Sequence, residues 1–508
     1  MLERRARIGA WGLSVAAGSA HALAVAAPWD GQPRWWLQLL ALGVLAWQIE
    51  RSRNGKEAAL AGWSFATAWL VATFWWLYIS MHTYGGLPAA LALLAVLALA
   101  GLLALYYAAA CALQQRFAPR SPVGRPLLFA ALWLLAELAR GVWFTGFGWG
   151  SSGYAHIEGP LAGYAPWVGA YGIAALAAWL AMALPKIWSC GHGQRLAVLA
   201  VLALPSVHRM DSTPVTHSTG TLAVALLQGN IPQDEKFQPG TGVPTALRWY
   251  GEQLQQHHAS LIVAPETALP LLLQQLPPGY WDGLRQRYAS GTEAALIGMP
   301  LGSYREGYTN SVVGLAPGQA PWRYDKHHLV PFGEFIPTGF KWFTAMMNIP
   351  LGDFNRGDVG QPVFEWQGQR LAPNICYEDL FGEELGARFR DPGRAPTVFV
   401  NLSNIAWFGN TVAIDQHLHI TRMRALEFER PFVRATNTGS TAVVDHRGQL
   451  IAELPRHTRG VLLAEVEGRE GLTVYARWVA HAGLWPLWLV GLAGLGLAIW
   501  RRKVPEAP

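Results

Sequence analysis

Residues 371–381 read LAPNICYEDLF. An apolar run stops at Ile375, Cys376 follows, and Glu378 and Asp379 come directly after Tyr377. A short run with no polar alternation predicts a strand covered on both faces, as in sheets sandwiched between other layers. The polar residues then fall where the strand ends, the place at which loops on a rigid scaffold carry function.

The same pattern recurs through the second half of the chain. TLAVALLQGNI (221–231), LIVAPETALP (261–270), AALIGMP (294–300), NSVVGLAP (310–317), TVFVNLSNI (397–405), FVRATNTG (432–439) and GVLLAEVE (460–467) each contain a short apolar run. TAVVDHRGQLIAEL (441–454) reads as a hairpin, its two runs separated by a turn with Asp, His, Arg and Gly. Mixed segments at about 243–257, 277–289 and 413–430 read as helices. The region is expected to be α/β with sandwiched sheets.

The first half is different. The chain of 508 residues is 52% hydrophobic and 14% charged, with 25 tryptophans, and the apolar excess lies mostly before residue 208. A soluble domain has about 25% charged residues. Apolar segments at roughly 9–27, 36–49, 60–80, 87–113, 126–145, 164–185, 195–208 and 480–500 are expected to be membrane spans, eight in all. Lys and Arg concentrate in alternate loops, around Arg4, Arg53, Arg120, Lys186 and Arg502. That alternation puts both termini in the cytoplasm and residues 209–479 outside. The expected divisions are a seven-helix region 1–208, a linker 209–220, a catalytic domain 221–468, a connector 469–479 and a last span with tail, 480–508. The N-terminal segment also has the layout of a cleaved signal peptide, which would leave the later orientation unchanged. The net charge of +6 serves topology, and no nucleic-acid partner is expected.

Of the 3 cysteines, Cys111 falls inside the fourth span and Cys190 in a cytoplasmic loop. Cys376 alone is on the outer face, so it has no intrachain partner there and is expected to be used. Two further strand ends bear charge: VAPET presents Glu266, and YDKHHLVPFGEFIP (324–337) presents Lys326 and Glu334. A glutamate after proline is as often a cap, a loop lysine is usually solvated, and Glu378 and Asp379 also suit the first turn of a helix. The combination, in this order, is more specific than its parts.

This constellation resembles the nitrilase superfamily, which uses a Glu–Lys–Cys triad on an αββα sandwich. Set among membrane spans, it is similar to the apolipoprotein N-acyltransferase family. TGFGWGSSGY (145–154), LLQGNIPQDEKF (226–237), VAPETALP (263–270), NICYEDLFG (374–382), NLSNIAWFG (401–409) and MRALEFERPFVRATNTG (423–439) match in order. Two positions depart: Phe237 stands where the family often has Trp, and Ile405 where it often has Asp. The resemblance implies Glu266, Lys326 and Cys376 as catalytic residues, with Glu334, Tyr377 and Glu378 in support. It implies acyl transfer by a ping-pong route through a cysteine thioester, from a phospholipid (phosphatidylethanolamine as the usual donor) to a diacylglyceryl apolipoprotein. No cofactor is implied, and a monomer in a bacterial inner membrane is expected.

Phe237, Trp342, Trp407 and His417 are candidate substrate contacts, and the segment GFKWFTAMMNIPLGDF (339–354) is expected to rest on the bilayer as an arm. Glu137 and Arg140, three apart in the fifth span, are expected to lock the bundle. His417 and His419 do not share a helix face and no metal signature accompanies them, so no metal site is expected. A membrane-anchored amidase using the same triad is the alternative enzyme. A transporter or receptor with an inert outer domain lacks support in the sequence, whose spans show no internal repeat or Pro/Gly-broken pair of the transporter kind.

Overall fold

The structure is a computed structural model that describes residues 2–187, 191–211, 215–303, 305–339 and 353–503. The chain forms two compact units: Met1–Trp75 with Ala90–Thr213 and Ala482–Pro508, and Trp76–Ala89 with Pro214–His481.

The first unit is helical. Its helices include Leu2–Val25, Trp35–Arg51, Gly55–Phe74, Ala89–Phe117, Gly124–Val142, Ala165–Ala183, His192–Asp211 and Trp485–Lys503. Among the described residues, three helical segments are long and apolar enough to cross a membrane: Ala89–Phe117, Gly124–Thr145 and Pro160–Lys186. The number rises to five if two bent pairs each count as one span. The third predicted span, 60–80, is interrupted. Its helix ends at Phe74, and Trp76–Ala89 belongs to the other unit.

Glu137 and Arg140 form a fully buried ion pair at 3.0 Å. Ser151 and Ser152 donate their hydroxyls to Glu137 at 2.7 and 2.6 Å. Arg140 donates to the Tyr107 hydroxyl and to the carbonyls of Phe147 and Trp149. A buried pair is tolerable only when its remaining donors and acceptors are matched. Here the matching groups come from the loop after the helix, so the pair ties that loop down.

The second unit contains two six-stranded sheets. Their strands are β1 (His217–Gln228), β2 (Leu261–Ala264), β3 (Ala294–Ser303), β4 (Gly307–Leu315), β5 (Trp322–Asp325), β6 (Phe364–Trp366), β7 (Gln369–Ile375), β8 (Val398–Ser403), β9 (Phe432–Thr436), β10 (Ala442–Val444), β11 (Leu450–Glu453) and β12 (Gly460–Glu470). The orders are β12-β1-β2-β3-β4-β5 and β11-β10-β9-β8-β7-β6. β1, β2 and β3 run parallel, as do β7, β8 and β9. β5 follows two antiparallel steps from β3, so it points the same way as β3.

Alternation along each strand builds the layers. Leu222, Val224 and Leu226 of β1 join Leu371, Ile375, Val400 and Val433 in a core between the sheets. Ala225 and Leu227 face the opposite way, onto helices Gly242–Gln256 and Tyr280–Arg287. Phe399 and Phe432 pack similarly against helices Ala413–Phe428 and Val474–Ala482. The result is the αββα sandwich of nitrilase-like folds. The two short strands β5 and β6 lie at sheet edges, where the sequence pattern did not single them out.

Segment Trp76–Ala89 packs on the loop after β8. The Trp76 indole donates to Gln416 Oε1 at 3.1 Å and lies against Phe408, while Tyr84 meets Trp407 edge-on at 5.9 Å.

Gly298 of β3 lets the loop bearing Glu266 approach closely. A Cβ there would lie 2.2 Å from the Pro265 carbonyl oxygen and 2.8 Å from Glu266 Cα. Gly298→Ala is expected to cost about 1–3 kcal/mol and lower the thermal midpoint in detergent. Gly283→Ala, in helix Tyr280–Arg287 with nothing within 4 Å, is expected to raise stability by about 0.5–1 kcal/mol. Thermal unfolding of both variants checks the opposite signs.

Candidate active site

β2, β5 and β7 all end at one edge of the sandwich. Glu266 follows β2 by two residues, Lys326 directly follows β5, and Cys376 directly follows β7. Lys326 Nζ lies 2.9 Å from Glu334 and 3.3 Å from Glu266. Both carboxylates and the ammonium are almost wholly buried. The Asn310 amide, on β4, donates to both carboxylates, at 2.7 Å to Glu266 and 2.8 Å to Glu334. Main-chain N–H groups complete the set: Asn404 donates to Glu266 and Val330 to Glu334.

Burial, the largest influence on Lys326, favours its neutral form, but Glu334 and Glu266 outweigh it and hold the ammonium above its ordinary range. It is a fixed positive charge in a dry site, where charge acts more strongly than in water.

Cys376 is half-buried and has φ +52°, a left-handed backbone that costs a residue with a side chain. Thr267, after Glu266, has φ +46°. Left-handed backbone therefore occurs in the loop after β2 and in the loop after β7. Burial, then the charge of Glu266, pushes the Cys376 thiol up to about 12, with Lys326 pulling the other way. The resting group is a neutral thiol, so reaction needs a base at the moment of attack.

Glu378 ties the Lys326 and Cys376 loops together. It accepts from the Tyr324 hydroxyl at 2.8 Å, from the Ile375 N–H at 2.6 Å and from the His327 N–H at 2.7 Å. Burial pushes its pKa above the ordinary carboxylate value while these donors pull it down, with burial prevailing. Tyr377 is buried against Phe381 and His328.

The candidate substrate contacts divide. Phe237 is half-exposed beside Lys236, whose Nζ lies 5.8 Å from the ring centroid. Trp407 is half-exposed against Tyr84. Trp342 lies outside the described residues, as does most of the expected arm. His417 is not placed as a substrate contact: it is fully buried, bonded to the Cys376 carbonyl and Asp379. Its spacing from the catalytic motifs could not distinguish lining a pocket from packing beneath a loop.

Three groups escaped sequence reading: Asn310, Lys236 and Asn401. Each is a polar residue in a segment read for its apolar neighbours or its loop. Lys236 donates to the Glu266 carbonyl at 3.1 Å, and burial, against the charges of Glu266 and Cys376, brings its ammonium down to about 8. Among the described residues, no group of three or more His, Cys, Asp or Glu is placed to hold a metal.

These charges predict thiol reactivity. Glu266→Gln removes a charge that opposes thiolate formation, so alkylation of Cys376 by iodoacetamide at pH 8–9 is expected to quicken. Lys326→Met removes one that favours it, so alkylation is expected to slow. Second-order rates across pH, read by intact mass, check the opposite directions.

Residues 19–183 match the family model for the apolipoprotein N-acyltransferase N-terminal domain, and residues 223–472 match the carbon-nitrogen hydrolase model. An apolipoprotein N-acyltransferase of Verminephrobacter eiseniae is 59% identical over 503 residues, covering 94% of each chain. One of Ralstonia nicotianae is 46% identical over 479 residues, covering 92% of this chain and 90% of the relative. Similar solved structures include a carbon-nitrogen hydrolase superfamily protein of Xanthomonas campestris, 20% identical. It covers 52% of this chain and 96% of that one, with a TM-score of 0.36. With both family models matched in sequence order and relatives alike over nearly their whole length, the chain belongs to the apolipoprotein N-acyltransferase family.

Proposed function

We propose that this enzyme transfers an acyl chain from a phospholipid to the N-terminal amine of the diacylglyceryl-cysteine of apolipoproteins, through a thioester on Cys376. The observation that carries the reading is the buried Lys326 ammonium held by Glu266 and Glu334 at the strand ends that also present a lone thiol. Family membership over nearly the whole chain supplies the substrate class.

In the first half-reaction Glu266 takes the Cys376 proton as sulfur attacks the sn-1 ester carbonyl. Lys326, with a backbone N–H near Cys376, stabilises the oxyanion; one such donor contributes about 3–4 kcal/mol of barrier lowering. Collapse breaks the bond to the glycerol oxygen, Glu266 returns the proton to it, and a lysophospholipid leaves. In the second, the apolipoprotein amine attacks the thioester carbonyl and gives its proton to Glu266. Collapse forms the amide and expels sulfur, which regains the proton. Glu334 holds Lys326 in place, Glu378 and Tyr377 set the nucleophile loop, and Phe237 and Trp407 offer half-exposed aromatic surface for acyl chains. Ester, thioester and amide follow in order without an energy source or cofactor.

We read eight spans with both termini cytoplasmic and the catalytic domain, residues 221–468, on the periplasmic face of a bacterial inner membrane. The alternation of basic loops supports this reading. The same reading takes 1–208 as the seven-helix region, 209–220 as linker, 469–479 as connector and 480–508 as the last span. Phosphatidylethanolamine is the proposed donor and a monomer the working unit.

Purified full-length protein incubated with phosphatidylethanolamine is expected to gain the mass of one acyl chain, removable by hydroxylamine. Cys376→Ala and Cys376→Ser should show no hydroxylamine-labile gain. A diacylglyceryl-cysteine peptide should discharge the adduct onto its amine. Glu266→Gln and Lys326→Met are expected to slow acylation by about 100-fold or more. Hydrolysis of small amides with no acylated peptide would replace this reading with the amidase.

A further inference from the structure

The main chain of Cys376 rests on a buried polar assembly that the transfer chemistry does not use. The Cys376 carbonyl accepts from His417 Nε2 at 3.2 Å and from the Asn401 amide at 3.2 Å. His417 Nε2 also lies 3.0 Å from Asp379 Oδ1. Arg434 NH2 is 3.0 Å from His417 Nδ1, and Arg434 NH1 is 3.4 Å from Asp379 Oδ2. Thr421 donates its hydroxyl to Asp379 Oδ2 at 2.6 Å. Asp379, Asn401, His417, Thr421 and Arg434 are all fully buried.

The proton inventory of this cluster has one solution. Both neighbours of His417 Nε2 are acceptors, a carbonyl and a carboxylate, so Nε2 carries the hydrogen and donates. The neighbour of Nδ1 is a guanidinium, which only donates, so Nδ1 carries none and accepts. Asp379 and Arg434 thereby fix both the tautomer and the ring orientation, as an outer partner does for a working imidazole.

What the imidazole holds is the carbonyl of a residue in left-handed conformation. In a trans peptide the carbonyl and the following N–H point in opposite directions. Holding the Cys376 carbonyl therefore sets the direction of the next N–H and, through ψ, the orientation of that peptide plane relative to the thiol. The brace acts together with Asn401, which donates to the same carbonyl, and with Glu378, which holds the Ile375 N–H, to keep the backbone in a costly region.

We infer that Asp379, His417 and Arg434 are positioning residues of acyl transfer, a buried brace that keeps the Cys376 main chain in its left-handed, attack-ready form. The inference rests on Cys376 as nucleophile. It deepens that reading by assigning His417 a role beneath the loop instead of at the substrate.

The test is single-turnover acylation of the full-length protein in detergent, followed by intact mass against phosphatidylethanolamine concentration. His417→Asn removes the donor at Nε2 and is expected to lower the maximal acylation rate roughly 10- to 100-fold, with the half-saturating phospholipid unchanged. His417→Gln places an amide N–H near the Nε2 position and is expected to stay within about threefold of wild type. Thr421→Val, nearly isosteric, loses one hydrogen bond to Asp379 and is expected to lower the rate about three- to tenfold. It carries the test if the His417 variants do not fold. His417→Asn or Thr421→Val acylating at the wild-type rate would overturn the brace. So would a loss that appears only as weaker phospholipid binding, or equal loss in the Asn and Gln variants. Failure of the thioester reading looks different: wild type then gains no labile adduct, or Cys376→Ala gains one.

Discussion

A single ammonium holds the catalytic edge of this protein together. Glu266 and Glu334 both reach Lys326 Nζ, and without it two buried carboxylates bridged by one amide would repel each other in a dry site. Glu266 arrives on the loop after β2 and Lys326 with Glu334 on the segment after β5, so their meeting depends on where those strands end. The parallel set and β5 point the same way, and the core between the sheets fixes their spacing. Packing thus becomes electrostatics: closely packed apolar side chains hold the strand ends, and the strand ends hold the charges.

The same economy explains the neutral thiol. A cysteine beside a cation usually ionises, yet burial and Glu266 prevail over Lys326 here. A thiol that gives up its proton only during attack is slow to oxidise and slow to be alkylated. In the proposed reaction the cation instead serves the oxyanion, where charge appears only in the transition state.

Two strand ends were readable because apolar runs stop abruptly before Glu266 and Cys376, while Lys326 was legible only through its motif. The order of these residues, with their flanking motifs, carried the family. Sequence could not show Asn310, Asn401 or Arg434 as functional, since each interrupts a strand pattern in the way a surface residue does. Their partners are distant in the chain and meet only in the fold. His417 was legible as a candidate substrate contact but not as a residue lying under the Cys376 main chain. The stretch around Trp76 read as continuous span because apolar composition is the same whether a helix faces lipid or another domain. Length alone could not tell that its helix ends at Phe74.

Residues Trp76–Ala89 come from between helical segments of one unit yet pack as part of the other. The sheet unit is therefore not a contiguous cassette. Expressed alone from residue 214 onward, it would strip the Trp76 ring from Phe408, the Tyr84 ring from Trp407, and the indole donor from buried Gln416.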